Sequence, residues 1–139
     1  MEPTPCIGLA RLASLMKQAG HKVHGVDAYS ERLTTSQASE IISDYNPDIV
    51  GISCLTPSAI WVTDLIRKLR NLRLPAKIVL GNLHASLFDE DFILTAGADV
   101  VVHGEGEDTL CELVAELLSM SSLAKSSLIT RRNTAAFDN

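Results

Sequence analysis

The feature that most limits this chain is a set of unbroken apolar runs, each ending in a small or polar loop. Ile49-Val50-Gly51-Ile52 leads into Ser53-Cys54-Leu55-Thr56-Pro57-Ser58, and Lys77-Ile78-Val79-Leu80 leads into Gly81-Asn82. Val100-Val101-Val102 leads into His103-Gly104-Glu105-Gly106-Glu107. A strand with one wet face alternates apolar and polar residues, whereas a strand buried on both faces does not. Strands of the second kind belong to parallel sheets covered by helices on both sides. Lys22 to Val26 is a shorter run of the same sort, ending near Asp27.

Helical periods separate these runs. Ile7, Leu9, Ala10, Leu12, Ala13, Leu15 and Met16 recur at helical spacing, and Gly20 supplies a stop. Thr34 with Gln37 forms a capping box, followed by an apolar stripe of Ala38, Ile41, Ile42 and Tyr45 that Pro47 ends. Thr56-Pro57 reads as an N-cap and a proline in the first turn of a helix. That helix carries Ile60, Val62, Leu65, Ile66 and Leu69, with Arg67, Lys68 and Arg70 near its negative end. A short helix is expected between the second and third clear strands. Asp108 to Leu118 is the last clear helix, apolar at Leu110, Leu113, Val114, Leu117 and Leu118. The alternation predicts an α/β protein with a doubly wound parallel sheet, three-layered and flavodoxin-like or Rossmann-like. The domain is expected over residues 1–120, with a polar, Ser-rich, frayed tail over 121–139.

One strand is missing from this pattern. A doubly wound sheet normally begins with a strand, and this chain begins with a helix. The absent strand would be central, and its loss leaves backbone groups and apolar side chains unpaired. Residues before Met1, the segment Leu128-Ile129-Thr130, or a second chain could supply it, and self-association into a homo-oligomer is expected.

Composition removes several function classes. A net charge of −5 offers no footprint for nucleic acid or an anionic membrane. No apolar stretch reaches the length of a membrane span, and the Met1-Glu2-Pro3-Thr4-Pro5 start lacks the basic and apolar regions of a signal peptide. Cys6, Cys54 and Cys111 are far apart and odd in number, which suggests neither a disulfide framework nor a zinc site and points to a cytoplasmic protein. Cys54 has no base partner in sequence, and His21 and His24 lack a third ligand type nearby. No catalytic residue and no metal ligand is assigned.

Ligands of open α/β sheets bind beyond the carboxyl ends of the strands. The candidate residues there are Ser53, Leu55 and Thr56 after one strand, Gly81, Asn82, His84 and Ala85 after the next, and Gly104, Glu105 and Glu107 after the last. Each also has a plain structural role open to it. Ser53 and Thr56 can cap a helix, Gly81 can serve a turn, and Glu105, Glu107 and Asp108 can complement a helix dipole. The acids make the last loop a poor phosphate cradle and a better acceptor for amide and hydroxyl donors.

These residues form a pattern that resembles a known family. Pro5-x-x-Gly8-Leu9-Ala10-x-Leu12-Ala13, Gly20-His21-x-Val23-x-x-x-Asp27 and Pro47-Asp48-Ile49-Val50-Gly51-Ile52-Ser53 resemble the start of the cobalamin-binding domains that precede radical-SAM barrels. Val79-Leu80-Gly81-Asn82-Leu83-His84-Ala85-Ser86 is similar to that family's Gly-Gly-x-His-Ala-Ser loop, with Asn82 in place of the second glycine. Ala98 to Glu107 is similar to its last strand and Gly-Glu-Gly-Glu turn. The resemblance covers about Pro5 to Leu118, and the family includes the anaerobic magnesium-protoporphyrin monomethyl ester cyclase.

The resemblance implies a cobalamin whose nucleotide tail is lined by Ser53, Leu55, Thr56, Gly81 and Asn82, with His84, Glu105 and Glu107 nearer the corrin. The Asp-x-His-x-x-Gly motif that supplies a cobalt ligand in methionine-synthase-like relatives is absent from this sequence, so a base-off corrinoid without a protein imidazole is implied. The Cys-x-x-x-Cys-x-x-Cys motif is absent too, so an iron–sulfur cluster and S-adenosylmethionine would belong to a separate catalytic domain. The competing expectation is a degenerate α/β domain that binds no cofactor and acts as an interaction module. A phospho-receiver would need an acceptor Asp and a Lys where Ser53 and His103 stand.

Overall fold

The computed structural model describes residues 7–54, 56–81, 95–103, 107–119 and 129–132. Its elements are α1 (Ile7–Gln18), α2 (Thr35–Tyr45), β1 (Ile49–Ser53), a 3-10 turn (Thr56–Ser58), α3 (Ala59–Asn71), β2 (Lys77–Gly81), β3 (Val100–His103), α4 (Glu107–Ser119) and β4 (Ile129–Arg132). The strands form one parallel sheet in the order β1-β2-β3-β4. Ile49 lies opposite Lys77, Ser53 opposite Gly81, Val79 opposite Val100 and Val100 opposite Ile129.

Side chains alternate along a strand, so consecutive apolar residues must serve two cores. Val50, Cys54, Ile78, Leu80 and Val101 pack with Ala38 of α2 and with Val62, Leu65, Ile66 and Leu69 of α3. Val79, Val100 and Val102 pack with Leu113 and Leu117 of α4 on the opposite face. This two-sided covering is the doubly wound arrangement that the apolar runs predict.

Local signals explain the ends of the helices. The Thr34 hydroxyl accepts from the Gln37 N–H at 3.1 Å, and Gln37 Oε1 accepts from the Thr34 N–H at 2.9 Å. At the other end of α2, Asn46 takes a left-handed conformation (φ 52°) and donates its N–H to the carbonyls of Ile42 and Ser43. The registers of α3, β2 and β3 are tied by Arg70. Its Nε and Nη2 donate to the Gly97 carbonyl at 2.9 and 2.7 Å, and its Nη1 donates to the Ala76 carbonyl at 3.1 Å. Asp99 pairs with Arg70 at 2.6 Å and accepts from the Ile78 N–H at 2.7 Å. Gly97 is favoured here by its φ of +89°, a left-handed conformation that side chains rarely adopt; a Cβ would make only ordinary contact with the Arg70 stem at 3.5 Å.

Several expectations are corrected. Lys22 to Val26 forms no strand, because a strand exists through its ladder and none of the described strands pairs with it. β1 is consequently an edge among the described strands; Val50 is buried, but Gly51 and Ser53 are exposed. Thr56 does not cap the following helix. The chain makes a 3-10 turn first, and α3 begins after Ser58, which makes no side-chain cap hydrogen bond. Ile60, expected on the apolar stripe of α3, is 88% exposed, since its spacing of two from Val62 puts it on the helix face opposite the buried Val62, Leu65, Ile66 and Leu69. Tyr45 is 42% exposed and stacks on His24 with ring centroids 5.1 Å apart. Ile129-Thr130 does enter the sheet, as part of β4, but beside β3 at the far edge rather than in the central gap. The short helix expected between β2 and β3 falls mostly on residues outside the described ones.

Candidate functional site

Because the strands are parallel, the last residues of β1, β2 and β3, namely Ser53, Gly81 and His103, come out at one rim. The loop over residues 27–33 is built as a compact turn. Asp27 accepts from the Ser30 N–H and hydroxyl at 3.1 and 2.8 Å, and Leu33 donates its N–H to the Ala28 carbonyl at 2.9 Å.

The sheet face that carries α4 changes character from β3 toward β1. On β2 and β3 it presents Val79, Val100 and Val102, packed in the core with Leu113 and Leu117. On β1 and at the end of β2 the same alternation presents Gly51, level with Val79, and Ser53, level with Gly81. A Cβ placed on Gly51 or Gly81 meets no heavy atom of the described residues within 4 Å. Neither glycine has a positive φ, so backbone geometry does not demand glycine at either position. The result is a floor of small residues with no described atom within 4 Å of a Cβ at either glycine, on the side of the sheet where α1 lies against α4. Arg11 of α1 and Glu107 of α4 form an ion pair of 3.0 Å across that side.

Of the residues singled out in the sequence, the structure brings Ser53 and Gly81 together as register partners. Thr56 opens the 3-10 turn just beyond β1, and Glu107 opens α4 at the same rim. Leu55, Asn82, His84, Ala85, Gly104 and Glu105 lie outside the described residues. Gly51 and Arg11 were missed. Gly51 had a legible signal, its spacing of two from Ser53, which puts both on one face of a strand. Arg11 had only its position as a basic residue within an apolar helical stripe.

Cys54 is fully buried, and burial pushes its thiol up to about 11. Burial therefore favours its protonated form near neutral pH. Among the described residues, no three His, Cys, Asp or Glu side chains gather as a metal site, and no helix is long and apolar enough to cross a membrane.

Comparison with known proteins decides the family. The model of the B12 binding domain matches residues 2–114, most of the chain and all of the rim-forming strands β1, β2 and β3. The chain belongs to the B12-binding domain family. This B12-binding domain is 37% identical over 115 residues to an uncharacterized methyltransferase of Pyrococcus horikoshii, covering 81% of the chain and 25% of that protein. It is 30% identical over 112 residues to the anaerobic magnesium-protoporphyrin IX monomethyl ester cyclase of Cereibacter sphaeroides, covering 79% of the chain and 18% of the relative. The chain thus spans a quarter or less of the length of these relatives. The N-terminal domain of a hypothetical protein from Thermotoga maritima shares the fold, with a TM-score of 0.52, 19% identity and 88% of each chain covered. The resemblance drawn from the sequence motifs is met by both the family and the cyclase relatives.

A B12 ligand needs a long narrow space beside the sheet for its nucleotide tail. The bare floor of Gly51, Ser53 and Gly81 fits that need, because open space stands where side chains would otherwise close the layer.

Proposed function

We propose that this B12-binding domain holds a cobalamin as the accessory domain of a cobalamin-dependent radical-SAM enzyme of the methyl-transfer or cyclisation class. The observation that carries this reading is the glycine and serine floor on the α4 face, open above Gly51 and Gly81. Ser53, Leu55, Thr56, Gly81 and Asn82 would surround the nucleotide tail, His84, Glu105 and Glu107 would lie nearer the corrin, and Ala85 and Gly104 would complete the cofactor-binding loops. When bound, the cofactor would supply a cobalt centre able to carry a methyl group, and the absence of an Asp-x-His-x-x-Gly motif fits a base-off form. This chain's residues would bind and orient it; burying the apolar benzimidazole of the tail contributes about 25 cal/mol per Å².

The iron–sulfur cluster and S-adenosylmethionine would belong to a partner catalytic domain. The three cysteines, odd in number and far apart in sequence, fit a reducing, cytoplasmic setting. The open outer edge of β1 supports self-association of the chain, which light scattering at micromolar concentration reads out. That same edge favours a second reading, an interaction module that binds no cofactor.

Titration of hydroxocobalamin into the purified chain, followed by the visible spectrum and calorimetry, separates the two readings. Retention through gel filtration, weakened by Gly81→Trp, is the expected result. No binding at about tens of micromolar by a folded chain, an affinity weaker than roughly −6 kcal/mol, leaves the interaction module ahead.

A further inference from the structure

Glu107 was expected near the corrin, yet in this structure it is already engaged. Its Oε2 lies 3.0 Å from Nη2 of Arg11, with the two side chains 31% and 67% exposed. The contact joins α1 to the first residue of α4, so it sits at the rim where β3 exits, on the same side of the sheet as the Gly51, Ser53 and Gly81 floor. An ion pair this exposed contributes little to stability, because each charge is well solvated without the other. Nothing in the packing of α1 depends on it either: Met16, not Arg11, is the buried residue of that helix.

The chemical surroundings make a cation here meaningful. The chain is acidic where α4 begins, with Glu105 just before it and Glu107 and Asp108 as its first residues, and the whole chain carries a net charge of −5. The nucleotide loop of a complete corrinoid carries one phosphodiester, an anion that such an acidic segment alone would repel. A guanidinium offers a phosphate two parallel N–H donors, a better partner than one exposed carboxylate contact. Exchange of Glu107 for the phosphate would cost one weak, exposed ion pair and gain a charge-assisted contact.

We propose that Arg11 reads the phosphodiester of the corrinoid nucleotide loop, and that Glu107 is the intramolecular stand-in from which the phosphate displaces it. The inference rests on the cobalamin reading above and adds a specificity residue to it.

The test is calorimetric titration of hydroxocobalamin into the wild-type chain and into Arg11→Gln, Arg11→Lys, Glu107→Gln and Arg32→Gln, with thermal melts of each. Arg11→Gln is expected to weaken binding about three- to tenfold, and Arg11→Lys to recover part of the loss. Glu107→Gln is expected to tighten binding, because it frees the guanidinium. Arg32, an exposed residue of the 27–33 loop, controls for general charge, and its loss should change little. In competition, α-ribazole phosphate should displace hydroxocobalamin from the wild type better than α-ribazole, and Arg11→Gln should remove that difference. Weakening by Glu107→Gln in step with Arg11→Gln would make the pair a structural strut and overturn the proposal, as would equal competition by the two ribazoles. No corrinoid binding by the folded wild type would overturn the cobalamin reading itself, and this inference with it.

Discussion

β2 and β3 are buried on both faces, whereas β1, in the same sheet and equally apolar in sequence, shows Gly51 and Ser53 to solvent. The difference extends to the helices. α3 buries Val62, Leu65, Ile66 and Leu69, while α1 buries Met16 and leaves its other apolar residues with described side chains half-covered or exposed. The β2–β3 half is also tied by the Arg70–Asp99 network, which satisfies backbone groups of Ala76, Ile78 and Gly97. The contrast teaches that one half of the domain holds the fold and the other half is kept open. Small residues on β1 and at the end of β2 lower packing where a ligand would need room, and the dense half offsets that loss.

The contrast makes its largest claim about the cores. Leu69→Ala is expected to cost about 2–5 kcal/mol, as removal of a fully buried leucine does, while Leu12→Ala in the half-covered α1 should stay within about 1 kcal/mol. Denaturant unfolding measures both, and equal costs would erase the distinction between the halves. Next, Asp99→Ala should cost about 1–3 kcal/mol, because it leaves the Ile78 N–H and the Arg70 guanidinium short of a partner. The midpoint of unfolding reads this directly.

In the open half the sign of the effects differs. Gly51→Val should leave the melting temperature nearly unchanged, since nothing described crowds its Cβ, yet weaken hydroxocobalamin binding about tenfold by filling the floor. A smaller effect belongs to Thr34→Ala, which removes one arm of the capping box of α2 and should cost about 1 kcal/mol in thermal unfolding.

The smallest effect is a pH dependence in the α2–α3 contact. Thr35 donates its hydroxyl to Asp64 at 2.5 Å, and Lys68 donates to Thr35 at 2.6 Å and pairs with Asp64 at 3.0 Å. The Thr35 hydrogen bond, then the Lys68 ammonium, hold the Asp64 carboxyl below its ordinary value. A carboxylate with a lowered folded-state value stabilises the protein above the ordinary carboxylate range and loses that contribution as the pH falls through the lowered value. Asp64→Asn should therefore differ from the wild type near neutral pH and converge with it in acid, in melts run across that range. A difference that grows in acid would put the wrong sign on this contact.

How much was legible in the sequence depends on the range of the interaction involved. The capping box at Thr34 and Gln37, the run of strands β1 to β3, the buried stripe of α3 and the span of α4 were all readable, because each rests on contacts within a few residues or on a simple period. The B12-binding family was readable as well, because the motifs at the strand ends lie close together in the chain. Tertiary structure alone decided the rest. Lys22 to Val26 has the side chains of a strand but pairs with none of the described strands, and Ile129-Thr130 finds its place beside β3. Whether Gly51 marks a weak strand or an open floor, and whether Glu107 faces a ligand or Arg11, depends on neighbours far away in sequence. Propensity and period act along the chain, while ladders, open space and ion pairs form only when distant segments meet.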